Sequence, residues 1–164
     1  MPLDADQARK LLDTARGGKF EALYVLSLTV GLRMGEALGL RWSDIDFHAK
    51  TLRVSRQLQR VRDGGGLVFS EPKNASRRTI DLPQRAVEAL RSHRKRQLDG
   101  CRRQTLGTQG SHSQQVRGSA LDAQNIVNRF FKALLKRAGL SPTRWHGLRH
   151  TYATLLLSRG THPT

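Results

Sequence analysis

A nearly continuous run of apolar residues at 20–30 places the strongest constraint on how this chain can fold. Apolar side chains, among them Phe20, Leu23, Leu26 and Val30, occupy nearly every face of a helix of that length. A helix that is apolar all round must be covered by other elements on every side. The sequence therefore predicts that this segment is the central helix of a core, and that Gly31 ends it.

Helical spacing of apolar residues predicts further helices before and after this segment. Asp4 and Gln7 form a capping-box pattern at the start of the first helix, and Gly17 follows its end. The remaining helices are expected at about 34–40, after Pro83, at 120–138 and at about 146–158.

Alternating side chains between residues 51 and 82 indicate a different kind of structure. The segments 51–55, 67–69 and 78–82 are strand candidates separated by turn-forming residues. Residues 100–119 contain almost no apolar side chain and are predicted to be a polar loop. The expected fold is one domain over 1–164, mainly α with a small three-stranded antiparallel β-sheet.

The charge of the chain is large and unevenly distributed. Lys and Arg number 29 against 13 acidic residues, which gives a net charge of +16. Residues 1–50 are balanced, whereas 51–118 carry 15 basic and 5 acidic side chains. Because 22 of the cations are Arg, whose forked donors match phosphate oxygens, nucleic acid is the expected partner. The alternative is a solvated basic surface from a compositionally biased genome.

Several other classes of protein receive no support from the composition. Cys101 is the single cysteine, so the 164 residues can form no internal disulfide, and a cysteine-based metal site is not expected. No N-terminal signal pattern and no run of 18 apolar residues is present. We expect a cytoplasmic protein with no membrane, metal or cofactor partner.

Three basic clusters carry the residues best suited to chemistry. Arg33 lies at the start of a short predicted helix with Glu36 one turn on, Lys73 lies on a turn, and His146 and Arg149 share a helix face. Two arginines, a lysine and a histidine can bind a phosphate and stabilise extra charge on its oxygens. Taken singly, each has a simpler interpretation, such as a helix cap, a solvated turn lysine or a surface His/Arg pair.

Taken together, the clusters resemble the tyrosine recombinase family of phage integrases. The first match, at residues 29–47, reads TVGLRMGEALGLRWSDIDF and is similar to the box around that family's first catalytic arginine. The second, at 71–83, reads EPKNASRRTIDLP and resembles the β-hairpin that carries the catalytic lysine. The third, at 144–163, reads RWHGLRHTYATLLLSRGTHP and resembles the box with the His-x-x-Arg pair.

The resemblance implies a role for each matched residue. Arg33 and Arg149 would bind the non-bridging oxygens of the scissile phosphate, and Lys73 would protonate the 5′-oxygen that leaves. His146 would assist proton transfer or hold the phosphate. Glu36 would orient these side chains without contacting the phosphate itself. Duplex DNA would be the partner, with a homo-oligomer on DNA possible for the full-length protein. The expected DNA contacts are Arg53, Arg56, Arg77, Arg78, Arg144 and His150.

The sequence departs from the family pattern at the nucleophile. Tyr24 belongs to the apolar central helix and Tyr152 to the packing position after Arg149, so neither is expected to attack DNA, and the domain is expected to be incomplete and inactive alone. The alternatives are a non-catalytic regulatory fragment that binds DNA, or a basic RNA-binding protein. A type IB topoisomerase shares the chemistry but matches the boxes less well.

Overall fold

The computed structural model describes residues 2–61, 63–72, 77–104 and 122–158, with the backbone alone at 101, 103, 104 and 156–158. The helices are α1 (Ala5–Ala15), α2 (Glu21–Thr29), α3 (Met34–Gly39), α4 (Gln84–Gln104), α5 (Ala123–Asn125), α6 (Lys132–Arg137) and α7 (Trp145–Ser158), with a 3₁₀ turn at Trp42–Asp44 and a π-helical segment at Ile126–Phe131. The strands are β1 (Ile45–Asp46), β2 (Thr51–Val54), β3 (Gln57–Val61), β4 (Gly66–Ser70) and β5 (Arg78–Asp81).

Helix α2 is the centre of the core, as its sequence predicts. Every residue from Ala22 to Leu28 is buried, because α1, α4 and α7 all pack against this helix. Gly31 ends the segment with a φ of +70°, a backbone conformation that favours glycine. A side chain on α2 therefore has little access to solvent.

Helix α1 begins with the predicted capping box. The Asp4 carboxylate accepts from the Gln7 N–H at 2.8 Å, and the Gln7 side chain accepts from the Asp4 N–H at 3.1 Å. These bonds satisfy backbone donors that the first turn of a helix leaves unpaired. The face carrying Leu11 and Leu12 is buried, as expected.

The predicted fold class is confirmed, but the strands divide into two sheets. The three-stranded antiparallel sheet has the order β1-β2-β5, and β3 pairs with β4 in a separate hairpin. The prediction that 67–69 joins the same sheet as 51–55 is therefore wrong. Its partner, β3, reads Gln-Leu-Gln-Arg-Val, and this mostly polar pattern gives only a weak strand signal.

Helix α4 extends further than the sequence indicates. It continues through Gln104, so residues 100–104 are helical although the predicted polar loop began at Gly100. The rest of that predicted loop lies outside the described residues. No described helix is long and apolar enough to cross a membrane.

Helix α7 is fixed to the core at its first turns. Leu148 is fully buried, and Trp145 packs against Tyr24 and Phe131 with ring centroids 5.5 and 5.0 Å apart. The buried Thr151 hydroxyl accepts from the Leu3 N–H at 2.8 Å. The exposed side chains on the opposite face of these turns are therefore held on a rigid support.

Candidate functional site

The turn between α2 and α3 holds Arg33 at a defined position. Leu32 is buried, while the side chain of Arg33 is 52% exposed and lies at the N-terminal end of α3. The ring of Tyr152 on α7 lies against Gly31, where an added Cβ would be 2.3 Å from the tyrosine Cδ1. The glycine thus lets α7 approach the turn, which brings the residues of the first and third sequence motifs together.

Glu36 is a fully buried carboxylate that organises the surrounding arginines. The Arg78 guanidinium donates to both of its oxygens, at 3.1 and 3.0 Å, and the backbone N–H of Arg33 donates at 2.9 Å. The Arg33 guanidinium lies 3.5 Å from Oε1. Burial alone raises the pKa of Glu36, but the hydrogen bonds and positive charges outweigh it and hold the pKa below its usual value. Glu36 is therefore charged and fully partnered.

Helix α7 presents His146 and Arg149 beside Arg33. His146 is exposed, and Arg149 is half-buried one turn further along. Since Leu148 is anchored in the core, these two neighbours on the helix face outward together. The predicted placement of the His-x-x-Arg pair on one face is confirmed.

Arg149 differs from the other arginines around Glu36 because part of it is buried without a partner. Its Nη1 has no hydrogen-bond partner among the described residues. Desolvation is the main cause that lowers the pKa of Arg149, the charges of Arg33 and Arg78 add to the decrease, and Glu36 opposes it. We call Arg33, Arg78, Arg149 and Glu36 the arginine cluster. It contains three guanidiniums and one carboxylate, which leaves two positive charges uncompensated.

A surface cleft of about 350 Å³ opens in front of this cluster. Arg33, His146 and Arg149 line it, together with Gln124 and apolar side chains from α5 and the π-helical segment. The three predicted catalytic residues that fall within the described chain, Arg33, His146 and Arg149, therefore share one cleft. A cationic, partly desolvated cleft of this kind attracts an anion.

One wall of the cleft is tied to the β3–β4 hairpin. Asp122 caps α5 by accepting from the Gln124 N–H at 3.0 Å, and its carboxylate also pairs with Arg60 of β3. The Gln124 backbone bond is the first cause that holds the pKa of Asp122 below its usual value, and the Arg60 pair adds to it against desolvation. This pair links two elements that are far apart in sequence.

The family model of the phage integrase family matches residues 2–164. The chain belongs to this family. It is 34% identical over 172 residues to a protein named tyrosine recombinase XerC-like from Caldanaerobacter subterraneus subsp. tengcongensis, an alignment that covers 94% of this chain and 43% of that protein. It is 27% identical to an integrase of Saccharopolyspora erythraea, over 97% of this chain and 48% of that protein. The chain thus spans less than half the length of these two relatives.

Solved structures of the family show the same fold. The Tn1549 transposon integrase in complex with transposon right end DNA superposes with a TM-score of 0.76 at 25% identity, over 99% of this chain and 55% of that chain. The XerA recombinase gives a TM-score of 0.70 at 26% identity, over 98% of this chain and 52% of that chain. The sequence-based assignment to the tyrosine recombinases, and the fold it implied, are confirmed.

Two predicted DNA contacts of this integrase domain lie next to the cleft. Arg144 and His150 line a neighbouring pocket of about 450 Å³. His146 lines both this pocket and the cleft. The His146 and His150 rings are 4.6 Å apart and nearly perpendicular. The two pockets therefore adjoin along the first turns of α7.

The other predicted DNA contacts have varied surroundings. Arg53 is exposed on β2, and Arg77 pairs with Glu71. Arg56 is half-buried, donates to the Gly39 carbonyl at 2.7 Å and stacks on Phe69 at 4.0 Å. Arg78 is bound to Glu36 as described above.

The remaining predicted site residue, Lys73, lies outside the described residues. The strands on either side of it are β4 and β5, and among the described residues these pair with β3 and β2. The two tyrosines are both described, and neither lines the cleft. Burial raises the pKa of Tyr24 to about 12, against a smaller opposing effect of Arg137, and Tyr152 packs on Gly31.

Sequence reasoning missed two features of this site. It placed Arg78 on the DNA surface and did not foresee its bond to Glu36, and it assigned no role to the segment that forms the cleft wall. Asp122 before a helical pattern was an N-cap signal for that segment. Nothing local in the sequence indicates that Arg60 reaches it.

Proposed function

We propose that this chain contributes the DNA-binding and phosphate-activating part of a site-specific tyrosine recombinase. The observation that carries the proposal is the buried, unpartnered Nη1 of Arg149 in a cleft that Arg33 also lines. A buried donor without a partner is costly in a folded protein unless a ligand satisfies it. A phosphate diester of duplex DNA fits this cleft in charge and hydrogen-bonding type.

The charge of the arginine cluster supports a phosphate over a neutral ligand. A phosphodiester brings one negative charge and non-bridging oxygens that can accept from Arg33 and Arg149 together. The attacked phosphorus gains a further negative charge in the transition state, and preorganised guanidiniums stabilise that charge more than the ground state. The same pair therefore serves binding and rate acceleration.

The chemistry we assign is a reversible transfer of the phosphoryl group. A tyrosine hydroxyl attacks the phosphorus, the bond from phosphorus to the 5′-oxygen breaks, and a 3′-phosphotyrosyl link forms. Lys73 donates the proton that the leaving 5′-oxygen needs, and His146, which lines the cleft, accepts the proton that the tyrosine hydroxyl loses. A 5′-hydroxyl of another strand then attacks the link and releases the tyrosine.

The nucleophile in this proposal is neither Tyr24 nor Tyr152. Tyr24 is 4% exposed in the core, and its raised pKa disfavours the phenolate. Tyr152 packs against Gly31 and does not line the cleft. We therefore expect the 164-residue chain on its own to bind DNA and to form no covalent link to it.

The test measures binding and cleavage with the same chain. Fluorescence anisotropy with a 30-bp duplex should show an affinity weaker by about tenfold to a hundredfold for Arg149→Met, because a charge-assisted bond contributes about 1.5–3 kcal/mol. Arg9→Met is the matched control, since Arg9 is exposed on α1 and pairs only locally with Asp6. A denaturing gel of a nicked suicide duplex should show no protein–DNA adduct.

Three results would contradict the proposal. Equal DNA affinities of Arg149→Met and Arg9→Met would show that the cleft does not bind DNA. Tighter binding of structured RNA than of duplex DNA would favour a basic RNA-binding protein. An adduct that Tyr152→Phe abolishes would show that the nucleophile is within this chain.

A further inference from the structure

Helix α4 carries a row of basic side chains on a surface that shares no lining residue with the cleft. Arg91, Arg94, Lys95 and Arg102 are exposed and lie on one helix face, with the half-exposed Leu98 between them. Counted from Arg91, the other residues follow at three, four, seven and eleven positions, a spacing that places them in one stripe along the helix. We call this stripe the α4 basic face.

The cations on another side of the same helix have internal partners. Arg85 pairs with Asp13 of α1 at 2.8 Å, and Arg96 pairs with Glu21 at the start of α2 at 3.4 Å. These residues lie about a third of a turn away from the basic stripe. No ion pair among the described residues engages Arg91, Arg94 or Lys95. The folded chain thus neutralises one side of α4 and leaves the other charged.

Two aromatic rings lie next to the arginines of the α4 basic face. Trp42 and Phe47 stack with centroids 6.3 Å apart, and the Arg94 guanidinium lies 5.4 and 5.8 Å from the two rings. Arg91 lies 5.8 Å from the Phe47 ring. A cation–π contact is electrostatic and uses none of the N–H donors of the guanidinium. Arg91 and Arg94 therefore keep donors for an anion while they lie beside the rings.

The surface between these side chains is concave. The open depression has a volume of about 500 Å³, and its lining contains one carboxylate, Asp99, and four cationic side chains, those of Arg91, Arg94, Lys95 and Arg102. Arg91 and Arg102 are separated by eleven residues, or about 16 Å along the helix axis. In duplex DNA one strand carries a phosphate about every 3.4 Å along its axis, so the row is long enough to face several successive phosphates.

We propose that the α4 basic face is a second binding surface for the phosphate backbone of duplex DNA, outside the cleft. The unneutralised charge, the predominance of arginine and the length of the row favour a nucleic-acid backbone over a compact anion. The inference takes its ligand from the proposed function. It adds that the domain contacts DNA at two places, so that affinity depends on duplex length.

The test compares two double variants on the same helix. Arg91→Gln/Lys95→Gln removes two charges from the α4 basic face and leaves Arg94 on its rings. Arg85→Gln/Arg96→Gln removes two charges from the ion-paired side and is the matched control. For a 30-bp duplex, the slope of log affinity against log salt should fall by about 1–2 in the first variant, because each phosphate that the protein neutralises contributes about 0.9 to that slope. The slope should stay unchanged in the control.

A second arm tests the need for a long duplex. Shortening the DNA to 10 bp should reduce the difference between the Arg91→Gln/Lys95→Gln variant and the unmodified chain, because a short duplex that occupies the cleft offers fewer phosphates to the α4 basic face. Arg149→Met should weaken binding of both lengths. If Arg149→Met weakens binding while the α4 variant has the same salt slope as the unmodified chain, the proposed function stands and this inference is overturned.

A measurement on the unmodified chain covers the case in which a variant fails to fold. Acetylation of Lys95, followed by mass spectrometry, should slow severalfold when a 30-bp duplex is bound. Lys10 on α1, which is also exposed, should react at the same rate with and without DNA. Equal rates for Lys95 in the two states, or protection by an acidic peptide but not by DNA, would overturn the inference.

Discussion

The arginine cluster has two sides that differ in how their buried polar groups are paired. We call the side around Glu36 the closed side, and the side where Arg149 borders the cleft the open side. On the closed side, Glu36 is fully buried and accepts from Arg78 and from the backbone of Arg33. On the open side, Arg149 has a buried Nη1 with no partner in the described chain. The closed side is built for stability, whereas the open side keeps binding capacity for a ligand at some cost in stability.

Replacing Glu36 by Gln should have the largest effect and tests the closed side. Three guanidiniums would then lack their shared counter-charge. Removal of one partner from a buried pair costs about 3–5 kcal/mol, and the lower end applies here because solvent screens the partly exposed Arg33 and Arg78. Urea denaturation measures this loss. Glu88→Gln, an exposed change on α4, should stay within about 0.5 kcal/mol of the unmodified chain. A Glu36→Gln loss no larger than that would show that the closed side is not a stabilising element.

The pH dependence of stability sharpens the same point. The pKa of Glu36 is lower in the folded chain than in the unfolded chain. Its stabilisation is therefore fully present above the unfolded pKa of about 4.3 and is lost as the pH falls through the folded value. Denaturation midpoints should decrease below about pH 4, and Glu36→Gln should decrease less steeply. Parallel pH profiles of the two chains would contradict this account.

Gly31→Ala tests whether the contact between α7 and the α2–α3 turn positions Arg149 on α7 next to Arg33 on the turn. Alanine at a φ of +70° costs about 1–2 kcal/mol, and the clash with Tyr152 adds about 1–3 kcal/mol. Unfolding should show a loss of about 3 kcal/mol. Adding Tyr152→Ala should relieve the steric part only, so the double variant should lose less than the sum of the two single changes. Strict additivity would contradict the contact.

Arg149→Met tests the open side and should have a smaller effect of opposite sign. It removes a buried unpaired donor and a charge that Arg33 and Arg78 repel, so the free energy of unfolding should stay the same or rise by about 1 kcal/mol. DNA affinity should fall at the same time. A stability loss as large as that of Glu36→Gln would mean that both sides are structural.

Arg60→Ala should have the smallest effect on stability. The Arg60–Asp122 pair is largely solvent-exposed on the arginine side, so screening limits its contribution to less than about 1 kcal/mol. Because the pair ties the cleft wall to the hairpin, DNA affinity should fall by more than the stability change suggests. Arg9→Ala, which breaks the exposed pair with Asp6, is the control for stability and affinity, since Arg9 is not among the expected DNA contacts. Equal effects of both on affinity would contradict a role for the wall.

Local patterns in the sequence were sufficient for most helices. The capping box at Asp4, the apolar segment around α2 and the shared face of His146 and Arg149 depend on residues within one or two turns of each other. The prediction was wrong where pairing decides structure. The side-chain pattern of β4 is compatible with pairing to β2 or to β3. Pairing with β3 closes a shorter loop and so costs less chain entropy, and this is the pairing found.

By itself, the sequence determined the central helix, the fold class, the family and three of the residues that line the cleft, Arg33, His146 and Arg149. These follow from periodicity, capping and contiguous motifs, all of which are carried by neighbouring residues. Only the tertiary structure decided that Arg78 pairs with Glu36 and that Arg60 reaches Asp122, since these partners are 42 and 62 residues apart. It also decided which face of α4 remains charged, because that depends on which acidic residues α1 and α2 bring against the helix.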